Sequence, residues 1–276
     1  MAARWSPSPT RPSAHALQSQ LRSANGAPGA GRSGLTKPKA RKVERLHEEV
    51  ARKIGTAILN GSLASGATLG GEIESSDRMG VSRTAYREAL KILVAKGLIE
   101  SRPKAGSRIT ARTQWNLLDP DILAWMFADQ PDEKFVKDLF ELRHVLEPVA
   151  AGLAAERRTP EQLAEMADCL RVMASAGLAG AEGQEADRQF HRLILAACCN
   201  EAIVSLGSSI GAAVRWTTHF KQKAQASPRD PLPEHEAVFE AIARGSSTDA
   251  IKAMQHLLTL ALDDMNLAAA AVPAQR

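Results

Sequence analysis

The sequence predicts a mostly α-helical protein in two parts, an N-terminal winged helix-turn-helix and a C-terminal all-α helical bundle. Three observations carry this reading. Apolar stripes at helical spacing fill most of the chain from Val43 onward. Period-two alternation is almost absent. The one strand-turn-strand pattern, Leu98-Ile99-Glu100 and Ser107-Arg108-Ile109-Thr110, directly follows a helix that ends at Gly97.

A chain of 276 residues, 44% hydrophobic, suits two domains with separate cores. No run approaches the roughly 20 apolar residues needed to span a bilayer. The three cysteines, Cys169, Cys198 and Cys199, lack zinc-finger spacing and read as small buried apolar residues in a reducing cytoplasm. Residues 1–42 contain eight Lys and Arg and no acid, so this segment carries +8 while the chain as a whole carries +4. Its Ser, Pro, Gly and Ala content predicts a disordered basic extension. Lys37-Pro-Lys-Ala-Arg-Lys42 could add phosphate contacts, or the segment could be a solvated extension only.

Residues 43–111 form the expected DNA-binding domain. Val43 to Leu59 is amphipathic and ends at Asn60-Gly61, and Glu72 to Met79 makes a short second helix. Gly80 allows the turn into a third helix, which Ser82 can cap. Tyr86, Ala89, Leu90 and Leu93 form its buried stripe, and Arg83 and Arg87, four apart, share the opposite face. In a helix-turn-helix this end of the second motif helix enters the major groove, where arginines pair with guanine edges or hold phosphates. Ser82 and Thr84 flank them. Arg102, Lys104 and Gly106 lie around the wing tip, with Arg108 on the returning strand.

Gly80-Val-Ser-Arg-Thr-Ala-Tyr-Arg-Glu-Ala-Leu90 and Lys96-Gly97-Leu98-Ile99 resemble the DNA-binding domain of GntR-family transcription regulators. The resemblance implies operator contact by Arg83 and Arg87 and a wing glycine at Gly106. The family's Leu-Pro-Ser-Glu-Arg-Glu-Leu is here Leu69-Gly-Gly-Glu-Ile-Glu-Ser75, so Ile73 stands where relatives carry a DNA-contacting arginine.

Residues 112–131 read as a linker with a short helix from Leu118 to Phe127, and residues 132–272 as an effector-binding and dimerisation domain of six or seven helices. Asp132 to Arg157 is the long helix, loosened locally by Pro148. Thr159 caps the next, with Pro160 at its first position and its end near Gly177. Further helices are expected near 182–197, 200–223, 233–243 and 247–270.

Asp187 and His191 lie one helical turn apart and could chelate one ion. His235 and His256, on two later helices, could converge on the same cavity, as in bundle metal sites. The alternative is ordinary surface histidines. Glu141-Leu-Arg-His-Val-Leu-Glu-Pro-Val-Ala150, Asp187-Arg-Gln-Phe-His191, Glu234-His235 and His256 resemble the FCD effector domain of FadR-like GntR regulators. The resemblance implies a divalent ion, zinc first with nickel or manganese as alternatives, on Asp187, His191, His235 and His256. It also implies an effector-binding Arg143, whose bland alternative is a salt bridge to Glu147. The linker Arg112 to Trp125 resembles that of sugar-acid-responsive members, including galactonate-responsive repressors, and this makes Trp216 a pocket candidate.

The expected protein is a cytoplasmic homodimer. It binds a double-stranded DNA operator and a small organic acid effector, a sugar acid such as galactonate, and represses a carbohydrate or organic acid catabolic operon. No nucleophile motif, general base or phosphate-cradling glycine loop supports an enzyme. The rivals are a metal-dependent hydrolase with a nucleic-acid-binding appendage, and a regulator with a structural metal and an unrelated acid or acyl-CoA effector.

Overall fold

The computed structural model describes residues 38–102, 106–128 and 131–271. The expected disordered extension therefore lies outside the described residues as far as residue 37. Helix α1 runs Pro38–Leu59, starting earlier than the expected Val43. Lys39, Ala40, Arg41 and Lys42 are all good helix formers, so nothing stops the helix at Val43. From Lys42 onward the chain forms one compact unit.

Helix α2 spans Glu72–Met79 and α3 spans Arg83–Ala95, with Gly80 in the left-handed conformation between them (φ 66°). The Ser82 hydroxyl caps α3 by accepting from the Ala85 N–H at 3.2 Å. Tyr86, Ala89, Leu90 and Leu93 face inward onto Val50, Ile54 and Ile58 of α1. Strands β1 (Ile99–Arg102) and β2 (Gly106–Ile109) pair antiparallel, from Ile99 opposite Ile109 to Arg102 opposite Gly106. The wing is thus present where the sequence places it. Its tip residue Lys104 lies outside the described residues. Gly97, at φ 72°, joins α3 to the wing, and a Cβ there would stand 2.2 Å from the Gln114 carbonyl oxygen.

A 3-10 turn, Arg112–Gln114, leads to α4 (Pro120–Met126), whose N-terminus is capped by Asp119. The bundle follows as α5 (Glu133–Arg157), α6 (Pro160–Ala176), α7 (Ala181–Ala197), α8 (Glu201–Ser205), α9 (Gly207–Ala224), α10 (Leu232–Ala243) and α11 (Ser247–Ala271). The capping box at Thr159 and Gln162 forms as the sequence suggests. Helix α5 is the expected single long helix, with Pro148 inside it. One expectation changes. The single helix expected over 200–223 divides at Leu206, whose N–H bonds back three residues to the Ile203 carbonyl before Gly207 starts α9.

Helix α5 packs on α7 and α11, where small residues let backbones approach. A Cβ at Gly152 would stand 2.8 Å from Ile251. The bundle core contains Ala150, Ala154, Met166, Phe190, Ile194, Val238 and Leu258. Helix α4 belongs to both halves. Its Ile122, Trp125 and Met126 join the winged-helix core. Its Leu123 joins Phe127, Phe135, Phe140, Phe220 and Met265 in a second apolar cluster. Lys96, 7% exposed, reinforces the junction by donating to Asp119 at 2.6 Å and Asp121 at 2.7 Å.

Gly97→Ala tests the junction of α3, wing and linker. The positive φ alone costs a Cβ-bearing residue about 1–2 kcal/mol, and the approach of the Gln114 carbonyl adds to it. Urea denaturation should show a loss at least that large, and an unchanged midpoint would contradict this packing.

Candidate functional site

The first candidate surface is the exposed edge of α3. Ser82, Arg83, Thr84 and Arg87 are all exposed there, with the inward stripe holding the helix in place. The Ser82 oxygen is engaged in the cap, so its hydroxyl hydrogen is what remains for a phosphate. Arg87 donates from Nη2 to Glu72 of α2 at 2.9 Å, and from Nε to the same oxygen at 3.3 Å. Any anion that approached this guanidinium would have to compete with a carboxylate. Ile73 is 54% exposed on α2, an apolar side chain beside the charged edge. Gly106 opens β2 at φ 80°, and Arg108 donates to the Gly66 carbonyl at 2.9 Å.

The second site is a cavity inside the bundle, lined in part by Arg143, Asp187, His191, Thr218, Lys221 and His235. Helix α5 supplies Arg143 and Glu147, α7 supplies Asp187 and His191, and the first turn of α10 supplies His235. Arg143, Glu147, Asp187, His191 and His235 are each only 1–3% exposed. Charged groups so deep must be paired or bind an ion.

The pairing fixes the histidine tautomers. His235 Nδ1 lies 2.7 Å from the Pro231 carbonyl, which can only accept, so Nδ1 carries a hydrogen. In the neutral ring Nε2 then presents a lone pair, and it faces Asp187 Oδ1 at 3.0 Å. His191 repeats the arrangement. Its Nδ1 meets Glu147 Oε2 at 2.5 Å, and its Nε2 lies 3.6 Å from the same Asp187 oxygen. Two imidazole lone pairs thus converge on a carboxylate, and something positive must sit among them: protons or a metal ion. One donor atom from each of the three residues lies within 4.8 Å of the others. The carbonyl and carboxylate behind the two rings provide the outer-shell support usual for metal-binding histidine.

The remaining contacts keep both carboxyls ionised. Burial pushes Glu147 up, but the charge of Arg143, then His191, more than reverses this and holds it at about 2. Burial also raises Asp187, while His235, His191 and the Thr218 hydroxyl bring it down to about 2. Arg143 Nε donates to Glu147 Oε1 at 2.5 Å, and its guanidinium lies over the Phe140 ring. Both sequence readings of Arg143 are therefore realised: it lines the cavity and pairs with Glu147.

Comparison with known proteins decides the family. Residues 46–109 match the gntR family of bacterial regulatory proteins, and residues 138–260 match the FCD domain. The uncharacterized HTH-type transcriptional regulator YieP of Escherichia coli is 33% identical over 217 residues, covering 78% of this chain and 93% of that protein.

The chain belongs to the GntR family.

It is a transcription regulator with an FCD effector domain, not an enzyme. The galactonate operon transcriptional repressor of Escherichia coli is 32% identical, covering 71% of this chain and 86% of the relative. A putative L-lactate dehydrogenase operon regulatory protein of the same organism is 31% identical, covering 76% and 82%. The solved structure described as Lar, which controls the Listeria monocytogenes agr system, shares the fold. Its TM-score is 0.55 at 16% identity, with 85% of this chain and 99% of that one covered.

Two of the expected FCD site residues are not at the cavity. His256 is exposed on α11, because the inward stripe of that helix is Met254, Leu257, Leu258, Ala261 and Met265. At 100° per residue His256 falls on the opposite side, and Leu257 takes the inward position. Trp216 is half-buried against the apolar cluster that includes Leu123 and Phe127. The stripe of α9 that reaches the cavity is Val214, Thr217, Thr218 and Lys221, on the opposite side from Trp216. Glu147, Thr218 and Lys221 are the site residues that sequence reading did not place. For Lys221 the available signal was its spacing, i+3 and i+4 from Thr218 and Thr217.

Two predictions test these sites. Glu72→Gln removes the carboxylate that competes for Arg87, so operator affinity should rise in a mobility-shift titration. A drop would instead assign Glu72 a positive part in DNA binding. The depressed carboxyls of Glu147 and Asp187 contribute stability that is complete above about pH 4.5 and is lost as pH falls toward 2. Metal-free protein should show that acid limb in thermal melts, and Glu147→Gln should make it shallower. An identical slope in the variant would rule out the Glu147 contribution.

Proposed function

We propose that this GntR regulator is an operator-binding homodimer, a repressor whose helical domain holds a divalent ion on Asp187, His191 and His235 and an effector carboxylate beside Arg143. The observation that carries this reading is the convergence of two imidazole Nε2 lone pairs on the Asp187 carboxylate. Three donors of O, N, N type suit zinc, nickel or manganese and leave coordination positions open. The ion would supply positive charge for an anionic ligand, and Arg143 a planar donor pair for its carboxylate. With His256 on the outer face, the set has three protein ligands where four were expected.

A hydroxylated acid, such as a sugar acid, is supported by the galactonate-operon and lactate-operon relatives. The cavity is about 30 Å³, room for about two or three waters, so such an acid must displace side chains to enter. Phe140 lines the cavity and also packs in the cluster with Leu123 of α4. Movement at Phe140 therefore reaches the helix that holds the winged domain. An effector that binds better to one arrangement of that junction shifts the population, and with it operator affinity.

The site is tested by elemental analysis beside calorimetry. Wild type should carry one ion per chain. His191→Ala should lose it together with effector binding, His256→Ala should keep it, and Arg143→Ala should keep the ion and lose only the effector. Stoichiometric metal in a His191/His235 double variant would refute the ligand set.

On the DNA side, Arg83→Ala should weaken operator binding roughly 5- to 150-fold if it reads a base bidentately. Unchanged affinity in an Arg83/Arg87 double variant would remove α3 as the reading helix.

A further inference from the structure

We propose that Lys221 is a specificity-determining residue, donating hydrogen bonds to effector hydroxyls, and that the cavity selects a hydroxylated monocarboxylate over a dicarboxylate. This rests on the ion-and-carboxylate reading above and adds the class of acid.

Lys221 lies on the cavity-facing stripe of α9 and is 5% exposed. An ammonium group has three N–H donors and is costly to bury without partners. Among the described residues its only hydrogen bond is a long one, 3.3 Å, to Asp264 Oδ2. Asp264 does not depend on it. Arg229 reaches the same carboxylate, with Nη2 at 3.2 Å from Oδ2 and Nε at 3.4 Å from Oδ1. Lys221 can therefore turn spare donors into the cavity without stranding a buried carboxylate. Apart from Arg143, assigned to the carboxylate, and the donor atoms assigned to the ion, the wall around it is apolar or already engaged. Thr217 Oγ1 donates to the Ala213 carbonyl, and Thr218 Oγ1 donates to Asp187.

Charge balance sets the ligand's charge. Three cations face or support the cavity: Arg143, Lys221 and Arg229. Four carboxylates oppose them: Glu147, Asp187, Asp264 and Glu234, the last paired with Arg229 at 2.7 Å. With neutral imidazoles the cluster carries one net negative charge, which a divalent ion turns into one net positive charge. A single carboxylate neutralises it. A dicarboxylate leaves an uncompensated negative charge beside deeply buried groups, a costly state. The second recognition element must then be neutral, and hydroxyl oxygens accept from a lysine ammonium.

The test is calorimetry on the metal-loaded full chain with paired probes. D-galactonate is compared with hexanoate and L-lactate with propionate, each pair differing in hydroxyls, and galactarate serves as the di-anion. In wild type at least one hydroxylated acid should bind about tenfold or more tighter than its deoxy partner, and galactonate tighter than galactarate. Lys221→Met should weaken all the acids through the lost positive charge and abolish the hydroxyl preference, read as the affinity ratio within each pair. Lys221→Gln, which keeps N–H donors at the same neutral charge as Met, should recover part of that ratio. Melting temperature and metal content accompany each variant. Hydroxyl preference unchanged in a folded, metal-loaded Lys221→Met protein overturns the proposal, as does tighter binding of galactarate. Where Lys221→Met fails to fold, Lys221→Ala decides: a wild-type hydroxyl preference in that folded, metal-loaded variant counts against the role. Binding of no acid, or binding unaffected by metal removal and Arg143→Ala, overturns the carboxylate reading itself and takes the Lys221 role with it.

Discussion

Asp187 is a buried carboxylate that the bundle cannot leave unpaired, and much of the effector domain's arrangement answers that constraint. Its oxygens meet His235, His191 and the Thr218 hydroxyl, so α10, α7 and α9 are all fixed relative to one another at this point. Glu147 then anchors the back of His191 and is itself held by Arg143, which brings α5 into the same network. Each member is satisfied by the next. Replacing the set with apolar side chains of similar shape would give a comparable core, since buried ion pairs seldom add stability over hydrophobic packing. A network of this cost is better explained by what it can bind than by what it holds together. The lone pairs left facing Asp187 are the functional residue of the arrangement.

The same cavity is mechanically close to the DNA-binding half. Phe140 touches both the cavity and the cluster around Leu123, while the preceding residue on α4, Ile122, lies in the winged-helix core. Successive residues of one short helix thus bury into two different cores. The approach is tight on the DNA-binding side as well, since a Cβ at Gly55 of α1 would stand 2.3 Å from the Trp125 ring. Lys96 closes the junction through Asp119 and Asp121. Burial lowers the Lys96 value, but the hydrogen bonds it donates to these two carboxylates outweigh this and leave it raised, so the lysine is held as a cation. Asp119 serves twice, as this ion-pair partner and as the cap of α4. A tilt of α4 would strain cap and ion pair together, which favours discrete positions of the junction over continuous ones.

How much of this was legible in the sequence follows from the kind of signal involved. Helices with strong caps were read closely, as with α6 behind Thr159 and α2 ahead of Gly80, because caps and positive-φ glycines act locally. The winged helix was legible because stripe, turn and wing must occur in one order. The site was legible where two ligands share a helix, as Asp187 and His191 do. It failed where one residue of rotation decides the outcome. His256 and Leu257 are neighbours, yet only Leu257 faces the cavity, and Trp216 sits beside Thr217 with the same result. Which face of α11 or α9 turns inward is set by packing against other helices, and a resemblance at one position does not carry that information. Glu147 and Lys221 were hidden for a related reason. Each lies at the spacing of an ordinary helix-surface charge, and only burial gives it a different meaning.

The exposed edge of the winged helix shows how a departure from the family can be absorbed. An arginine at position 73 would add a phosphate or base contact from α2, and Ile73 offers none. Its exposure, with no apolar cluster claiming it, argues against a packing role in the free protein. Beside it Glu72 is paired with Arg87, so α2 contributes a negative charge and an apolar surface to a face where relatives present positive charge. Phosphate attraction scales with the number of cations delivered, so this edge should bind DNA with a shallower salt dependence than a relative carrying the arginine. On the proposed reading, base contact would rest more heavily on α3, where Arg83 is exposed and has no ion-pair partner among the described residues. If α3 reads the operator as proposed, the balance of the interface would shift from electrostatic attraction toward groove contacts, with Arg83 as the residue on which discrimination between operators would depend.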